Sequence, residues 1–249
     1  MKKILQLTFL LITTSIFAQS DYFITEKNGL FGVIDSKGTQ IIKPKYDKIE
    51  MFGSYKENWA KVYLDGKIGF VDLTGYEIVP VKYTSIDNFN EFNKGWAMVS
   101  IDGKFGFIDQ NGREVIEPVY EKINRLSEER KDWARVVLGG KTGYIDNTGA
   151  IVVPTIYDNI FLFGEYKKDW AKVQIGDLLG FISYETGKEI VSVKYREIEK
   201  FGLRKKNWAL VKYNSLYGFI DDTGKEIIPP SFESITPIDQ LNKQKNDKK

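Results

Sequence analysis

The chain has 249 residues, 42% hydrophobic and 14% aromatic, with 22 glycines and 7 prolines; it is long enough for a sizeable core, and its composition favours short strands over long helices. Basic residues number 36 and acidic residues 34, a formal charge of +2, without the basic excess that nucleic-acid binding uses. Histidine and cysteine are absent, which removes the commonest general base, the thiol nucleophile, the usual transition-metal ligands and any disulfide framework.

The chain opens with Met1-Lys2-Lys3, a mainly apolar stretch from Ile4 to Phe17, and Ala18-Gln19-Ser20. A charged start, an apolar run shorter than the roughly 20 residues of a spanning helix, and small residues at the cut form a secretory signal peptide. Residues 1–18 are read as that signal, and the protein is expected in the periplasm or outside the cell, with no membrane-spanning segment in the mature chain.

Beyond the signal the chain repeats itself. Trp59, Trp96, Trp133, Trp170 and Trp208 are spaced by 37, 37, 37 and 38 residues, with Tyr22 a further 37 before the first. Gly32, Gly69, Gly106, Gly143, Gly180 and Gly218 keep the same period, as do Tyr46, Tyr83, Tyr120, Tyr157, Tyr195 and Phe232. Six units follow, at 22–58, 59–95, 96–132, 133–169, 170–207 and 208–238, within a repeat domain spanning 19–238.

Each unit carries two turn signals. Pairs such as Asn28-Gly29, Asp65-Gly66 and Gly139-Gly140 tolerate positive φ and predict a two-residue hairpin between the first and second strands. Asp35-x-x-Gly38 and its equivalents at Asp72, Asp109, Asp146 and Asp221 predict a type I turn before the third strand. Unit five departs, with Ser183 and one extra residue before Gly187.

The strands between these turns differ in pattern. The first alternates, with Ala60 and Val62 on one face and Trp59 and Lys61 on the other. The second has apolar residues on both faces, as at Phe70-Val71 and Phe107-Ile108, and is expected to be central. The third carries Pro44, Pro80, Pro118 or Pro154 and is expected at a sheet edge. A triplet with spacing three follows, as in Tyr83, Ile86 and Phe89; this period suits neither strand nor long helix and predicts a bent segment or a single 3₁₀ turn.

The fold class is therefore all-β: a tandem array of six antiparallel three-stranded units in an open superhelical, solenoid-like stack, with a closed six-bladed propeller-like ring as the alternative. A unit this small has too little apolar surface to offset the entropy of ordering it, so the units are expected to stand only together. Residues 239–249 form a polar tail expected to be disordered.

The string Gly69-Phe70-Val71-Asp72-x-x-Gly75-x-Glu77-Ile78-Val79-Pro80, with Tyr83, Ile86 and Phe89 behind it, resembles the WG-containing, or KWG, repeat of bacterial proteins. The resemblance covers nearly all of the mature chain. The tryptophan that this family places before the glycine is replaced here by Phe31, Ile68, Phe105, Thr142, Leu179 and Tyr217. The resemblance implies an architecture rather than an activity, and the Ala18-Gln19 ending resembles signals of exported Bacteroidota proteins.

No residues converge on an active site in the sequence: the recurring aspartates are what turns need in every unit, whereas a catalytic centre would be an oddity of one unit. The chain is read as non-enzymatic, with no cofactor and no metal. Trp59, Trp96, Trp133, Trp170 and Trp208 are the candidate ligand-binding residues, a ladder that either stacks on sugar rings or belongs to the core. Two functions follow: a protein-interaction scaffold of the cell envelope, or a glycan or cell-wall binding module using the tryptophan ladder. Protein partners are expected, glycan is the alternative, and nucleic acid is not.

Overall fold

The computed structural model describes residues 21–237, so the signal peptide at 1–18 and the polar tail at 239–249 lie outside the described residues. Among the described residues there is no helix, and short strands form six antiparallel sheets in tandem. The described residues divide into two compact units, one up to Glu77 and one from Ile78. The strand Glu77–Tyr83 straddles the division.

In the first unit, Tyr22–Lys27, Leu30–Asp35 and Gln40–Tyr46 form a three-stranded sheet in sequence order. Behind it, Lys48–Ile49 pairs with Trp59–Leu64, which pairs with Lys67–Asp72. In the second unit four sheets share one plan: a two-residue strand, the tryptophan strand, a central strand and an edge strand, which carries proline in three of the four. One runs Ser85–Ile86, Trp96–Ile101, Lys104–Asp109, Glu114–Tyr120; the next runs Lys122–Ile123, Trp133–Leu138, Lys141–Asp146, Ile151–Tyr157. The last two run Asn159–Ile160, Trp170–Ile175, Leu178–Ser183, Glu189–Tyr195 and Glu197–Ile198, Trp208–Tyr213, Leu216–Asp221, Glu226–Phe232.

The three long strands and both turns of each unit are those the sequence predicts. In five of the six hairpins both loop residues have positive φ, for example Asp102 at 49° and Gly103 at 78°, the backbone of a type I′ turn. In the Gly176-Asp177 hairpin only Gly176 does. Each Asp-x-x-Gly turn closes with a hydrogen bond from the glycine N–H to the aspartate carbonyl, 3.0 Å at Gly112 and Asp109. The carboxylate folds back to accept the N–H groups two and four residues on, as Asp35 does from Lys37 and Thr39. The extra residue of unit five widens this turn, so that Gly187 donates to the carbonyl of Ser183.

The triplet takes the bent form and contains no 3₁₀ turn. Tyr83 ends one edge strand, the chain bends at Thr84, and Ile86 sits in the two-residue strand that joins the far edge of the following sheet, opposite Val99. Spacing three is a corner: both side chains must point inward across a bend, which adds one residue to the strand period of two. Each of these sheets thus begins with residues of the preceding unit, and neighbouring units share a core. Tyr157 and Ile160, at the end of one unit, pack with Ala171 and Val173 of the next, all at most 2% exposed.

Two glycines show how closely the backbones approach. A Cβ on Gly106, in a central strand, would lie 2.4 Å from the carbonyl oxygen of Ile116 in its own edge strand. A Cβ on Gly112 would lie 2.6 Å from the carbonyl oxygen of Ile78 in the preceding edge strand, and its φ of +79° already disfavours other residues.

Candidate functional site

The five tryptophans occupy equivalent positions, and all are turned toward protein. Trp59, Trp133 and Trp170 are buried, and Trp96 and Trp208 are half-buried. Each ring packs 5.3–5.6 Å from the aromatic residue eleven positions on: Phe70, Phe107, Tyr144, Phe181 or Phe219. The triplet phenylalanine packs edge-on to the ring in two units, Phe163 at 6.5 Å from Trp133 and Phe201 at 5.6 Å from Trp170. The arrangement is the inward alternative of the sequence reading, in which large aromatics gain most from burial.

A cation three residues before the tryptophan covers the ring in four units. Lys56, Arg130, Lys167 and Lys205 lie 4.3, 3.9, 4.8 and 3.6 Å from the centroids of Trp59, Trp133, Trp170 and Trp208. Arg130 also lies 4.6 Å from the Tyr184 ring, and it donates to the carbonyls of Tyr184 and Glu185 in the turn of the next sheet. Lys167 donates to the carbonyl of Asp222 and Asn93 to that of Asn147, both at the corresponding turn. Arg130 and Lys167 therefore clamp consecutive sheets while roofing the indole, and Asn93 clamps without a charge, which is why the charged linkers are more than solvated loops. The signal was in the sequence as a polar residue held at one offset from the tryptophan, but a basic linker has the same pattern whether or not it covers a ring.

A second bond crosses between units. Tyr46 donates to Glu77 at 2.8 Å, Tyr83 to Glu114 at 2.7 Å, Tyr157 to Glu189 at 3.1 Å and Tyr195 to Glu226 at 2.6 Å. Burial first, and then the neighbouring carboxylate, push the Tyr46 hydroxyl up to about 12. Lys45, Lys82 and Lys194, each one residue before its tyrosine, pair with the same glutamates at 2.8, 2.9 and 2.9 Å. At Tyr120 the pattern stops, because Ile151 stands where the glutamate would be.

One unit does carry an oddity, which the sequence reading did not single out. Beside the tryptophan ring, Tyr55 and Lys61 accompany Phe70, and Tyr166 and Lys172 accompany Phe181. At Trp133 the corresponding trio is Glu129, Arg135 and Tyr144. Arg135 Nε lies 2.8 and 3.0 Å from the two Glu129 oxygens; its Nη2 donates to Glu129 at 2.6 Å, to the Tyr144 hydroxyl at 2.9 Å and to the Ile160 carbonyl at 2.8 Å. Tyr144 in turn donates to Glu129 at 2.5 Å. Burial raises the Glu129 carboxyl, but the hydrogen bonds from Arg135 and Tyr144 outweigh it and leave the acid below its ordinary range. Burial pushes the Tyr144 hydroxyl well above its ordinary value, so it stays a proton donor. An acid held ionised by its own arginine and a phenol held neutral form a closed ion-pair network, with no group poised to take or release a proton near neutral pH.

Among the described residues no three acidic side chains are grouped to hold a metal ion, and no helix is long and apolar enough to cross a membrane. The hollows are open: one of about 280 Å³ lies between Phe92, Met98, Ile123 and Arg125. Another of about 370 Å³ lies between Tyr166, Phe201 and Lys206.

The model of the WG containing repeat matches residues 31–67, 68–105, 105–141, 143–178 and 217–240, well over half of the chain. The chain is a WG-containing repeat protein. The unmatched interval of this WG-repeat chain, 179–216, begins in the unit with the widened Ser183 turn. The position that carries the family's tryptophan lies in the central strand and pairs with the edge-strand tyrosine, Phe105 with Tyr120 and Leu179 with Tyr195. The next residue is glycine in all six units of this chain, and it lets those two strands approach.

No protein of curated function matches the WG-repeat chain. Solved structures similar to it include BamB from Moraxella catarrhalis, 13% identical over 84% of this chain and 70% of that one, TM-score 0.25. AztD from Citrobacter koseri is 13% identical over 82% and 69%, TM-score 0.25. Hsv2 from Kluyveromyces marxianus is 10% identical over 81% and 72%, TM-score 0.24. Likeness this distant carries no argument about function.

Proposed function

We propose that this WG-repeat protein is a non-catalytic, exported scaffold that binds protein partners in the cell envelope. One contrast carries the reading. Positions that hold the frame scarcely vary between units: Ala60, Ala97, Ala134, Ala171 and Ala209 are all at most 1% exposed. Exposed positions of the edge strands change in character, from Lys45, Lys82 and Lys194 to Val119 and Ile156, and from Lys43 to Glu117 and Pro154. A constant frame with a variable outer surface is how repeat arrays present binding surfaces.

The glycan reading needs indole faces open to a sugar ring, and the roofed tryptophans do not favour it. The non-catalytic reading rests on the residue types available and on the closed character of the one unusual network. Export rests on the first eighteen residues. The scaffold is tested by passing envelope extract over the immobilised chain and identifying by mass spectrometry what free chain displaces. Retention of wall polysaccharide with no displaceable protein would refute it. N-terminal sequencing of the mature protein, expected to begin near Gln19, tests export.

A further inference from the structure

One ion pair recurs between successive edge strands except in the middle of the array. Where Lys45–Glu77, Lys82–Glu114 and Lys194–Glu226 form ion pairs between successive units, the third junction has Val119 and Ile151, and the fourth has Ile156 opposite Glu189. The registers of the two edge strands involved are the same as in the other sheets, Phe107 opposite Ile116 and Tyr144 opposite Val153. A Cβ on Gly149 would meet Ile116 at 2.8 Å, which places the turn before Ile151 against the strand that bears Val119. The positions therefore adjoin as the ion pairs do.

Val119, Ile151 and Ile156 are 39%, 65% and 46% exposed. Pro154, also exposed, lies between the last two. Exposed aliphatic residues scattered singly need no explanation, but these replace charged residues at equivalent positions of consecutive units. The change at Ile156 leaves the acid Glu189 without its base, and unit three adds a second acid, Glu117, where other units have Lys43, Pro80, Pro154 or Ser192. Glu189 takes the Tyr157 hydroxyl but, with Ile156 in the lysine position, has no basic partner among the described residues, and neither has Glu117, exposed two residues before Val119.

Resting on the scaffold reading, we infer that Val119, Ile151, Pro154 and Ile156 form the docking surface for a protein segment that presents an apolar anchor beside a lysine or arginine. The anchor covers the aliphatic stripe, and the basic group meets Glu189 or Glu117. Burial at the centre supplies affinity and the flanking charges set orientation.

The test selects random dodecapeptides by phage display on the full chain and measures the winners against two variants. The Val119→Lys, Ile151→Glu double variant rebuilds the ion pair of the neighbouring junctions, so its fold has precedent within the same chain. Selected peptides should carry an aliphatic or aromatic residue within three positions of Lys or Arg and should lose about tenfold or more in affinity on this variant. Glu189→Gln keeps an acceptor for Tyr157 and should weaken the same peptides several-fold while reducing their salt dependence. Peptides that bind wild type and double variant equally would overturn the docking surface and leave the scaffold reading standing. Failure to select any peptide counts against both. Self-association in sedimentation that disappears in the double variant would assign the stripe to a second copy of the chain and also overturn the proposal.

Discussion

Replacing Arg135 by methionine tests whether the unusual trio is a closed structural network. The substitution keeps the length of the stem but removes three contacts to Glu129, one to Tyr144 and one to the Ile160 carbonyl. The Arg135 and Glu129 side chains are only 17% and 20% exposed, so Glu129 would be left largely out of water with one donor, Tyr144. Breaking a fully buried pair costs about 3–5 kcal/mol, and exposed pairs are worth under about 1 kcal/mol; this partly buried pair should cost about 2–3 kcal/mol. A triple replacement, Glu129→Tyr, Arg135→Lys and Tyr144→Phe, installs the trio found at Trp59 and Trp170 and should lie within about 1 kcal/mol of wild type, since exchanging a whole ion pair for well-packed groups is often neutral. Urea unfolding of the full chain followed by tryptophan emission reads both, because the Trp133 ring lies 5.6 Å from Tyr144. The reasoning fails if Arg135→Met unfolds at the wild-type midpoint, or if the triple variant is as weak as the single one.

Gly112→Ala should cost about 1–3 kcal/mol or more, because its Cβ would lie 2.6 Å from the Ile78 carbonyl oxygen at a φ of +79°; a midpoint unchanged from wild type would count against the tight contact between successive edge strands. Asp146→Ala removes acceptors for the Thr148 N–H, the Thr148 hydroxyl and the Ala150 N–H and should cost about 1–2 kcal/mol, whereas a metal or catalytic role would leave stability alone. Hydrogen bonds from Tyr195 and Lys194 hold the Glu226 carboxyl below its ordinary 4.5, and those from Thr223 hold Asp221 below 3.8. Depressed folded values stabilise above the ordinary values and lose that stability as pH falls through them, so the unfolding midpoint should decline once the pH drops below about 4.5; a midpoint flat into strong acid would contradict the hydrogen bonds. Acrylamide should quench tryptophan emission weakly in the folded chain and strongly in urea, given the buried or half-buried indoles; efficient quenching of the native chain would revive the glycan ladder.

The repeat period, the two turns, the central strand and the proline edge were legible because each is a local demand: positive φ needs glycine or asparagine, and a strand covered on two faces needs apolar residues on both. The interior placement of the tryptophans was left open, because a first strand alternating Trp59 with Ala60 and Lys61 has the same pattern whether the tryptophan face meets solvent or a linker. What decided it lay outside the strand, in Phe163, Phe201 and the cations of the linkers. The Glu129–Arg135–Tyr144 network was missed for a related reason: its members stand six and nine residues apart, and each alone is an ordinary charged or aromatic residue.

The sequence by itself determined that one small β unit recurs six times, and hence that no unit has a complete core of its own. Only the tertiary structure decided how the gap is filled: a two-residue strand such as Asn159–Ile160 crosses to the next sheet, and Ile160, with Tyr157 before the bend, packs in one core with Ala171. Periodicity records which residues are equivalent, whereas packing depends on which non-equivalent residues meet, and that is set by the bend between one sheet's edge and the next.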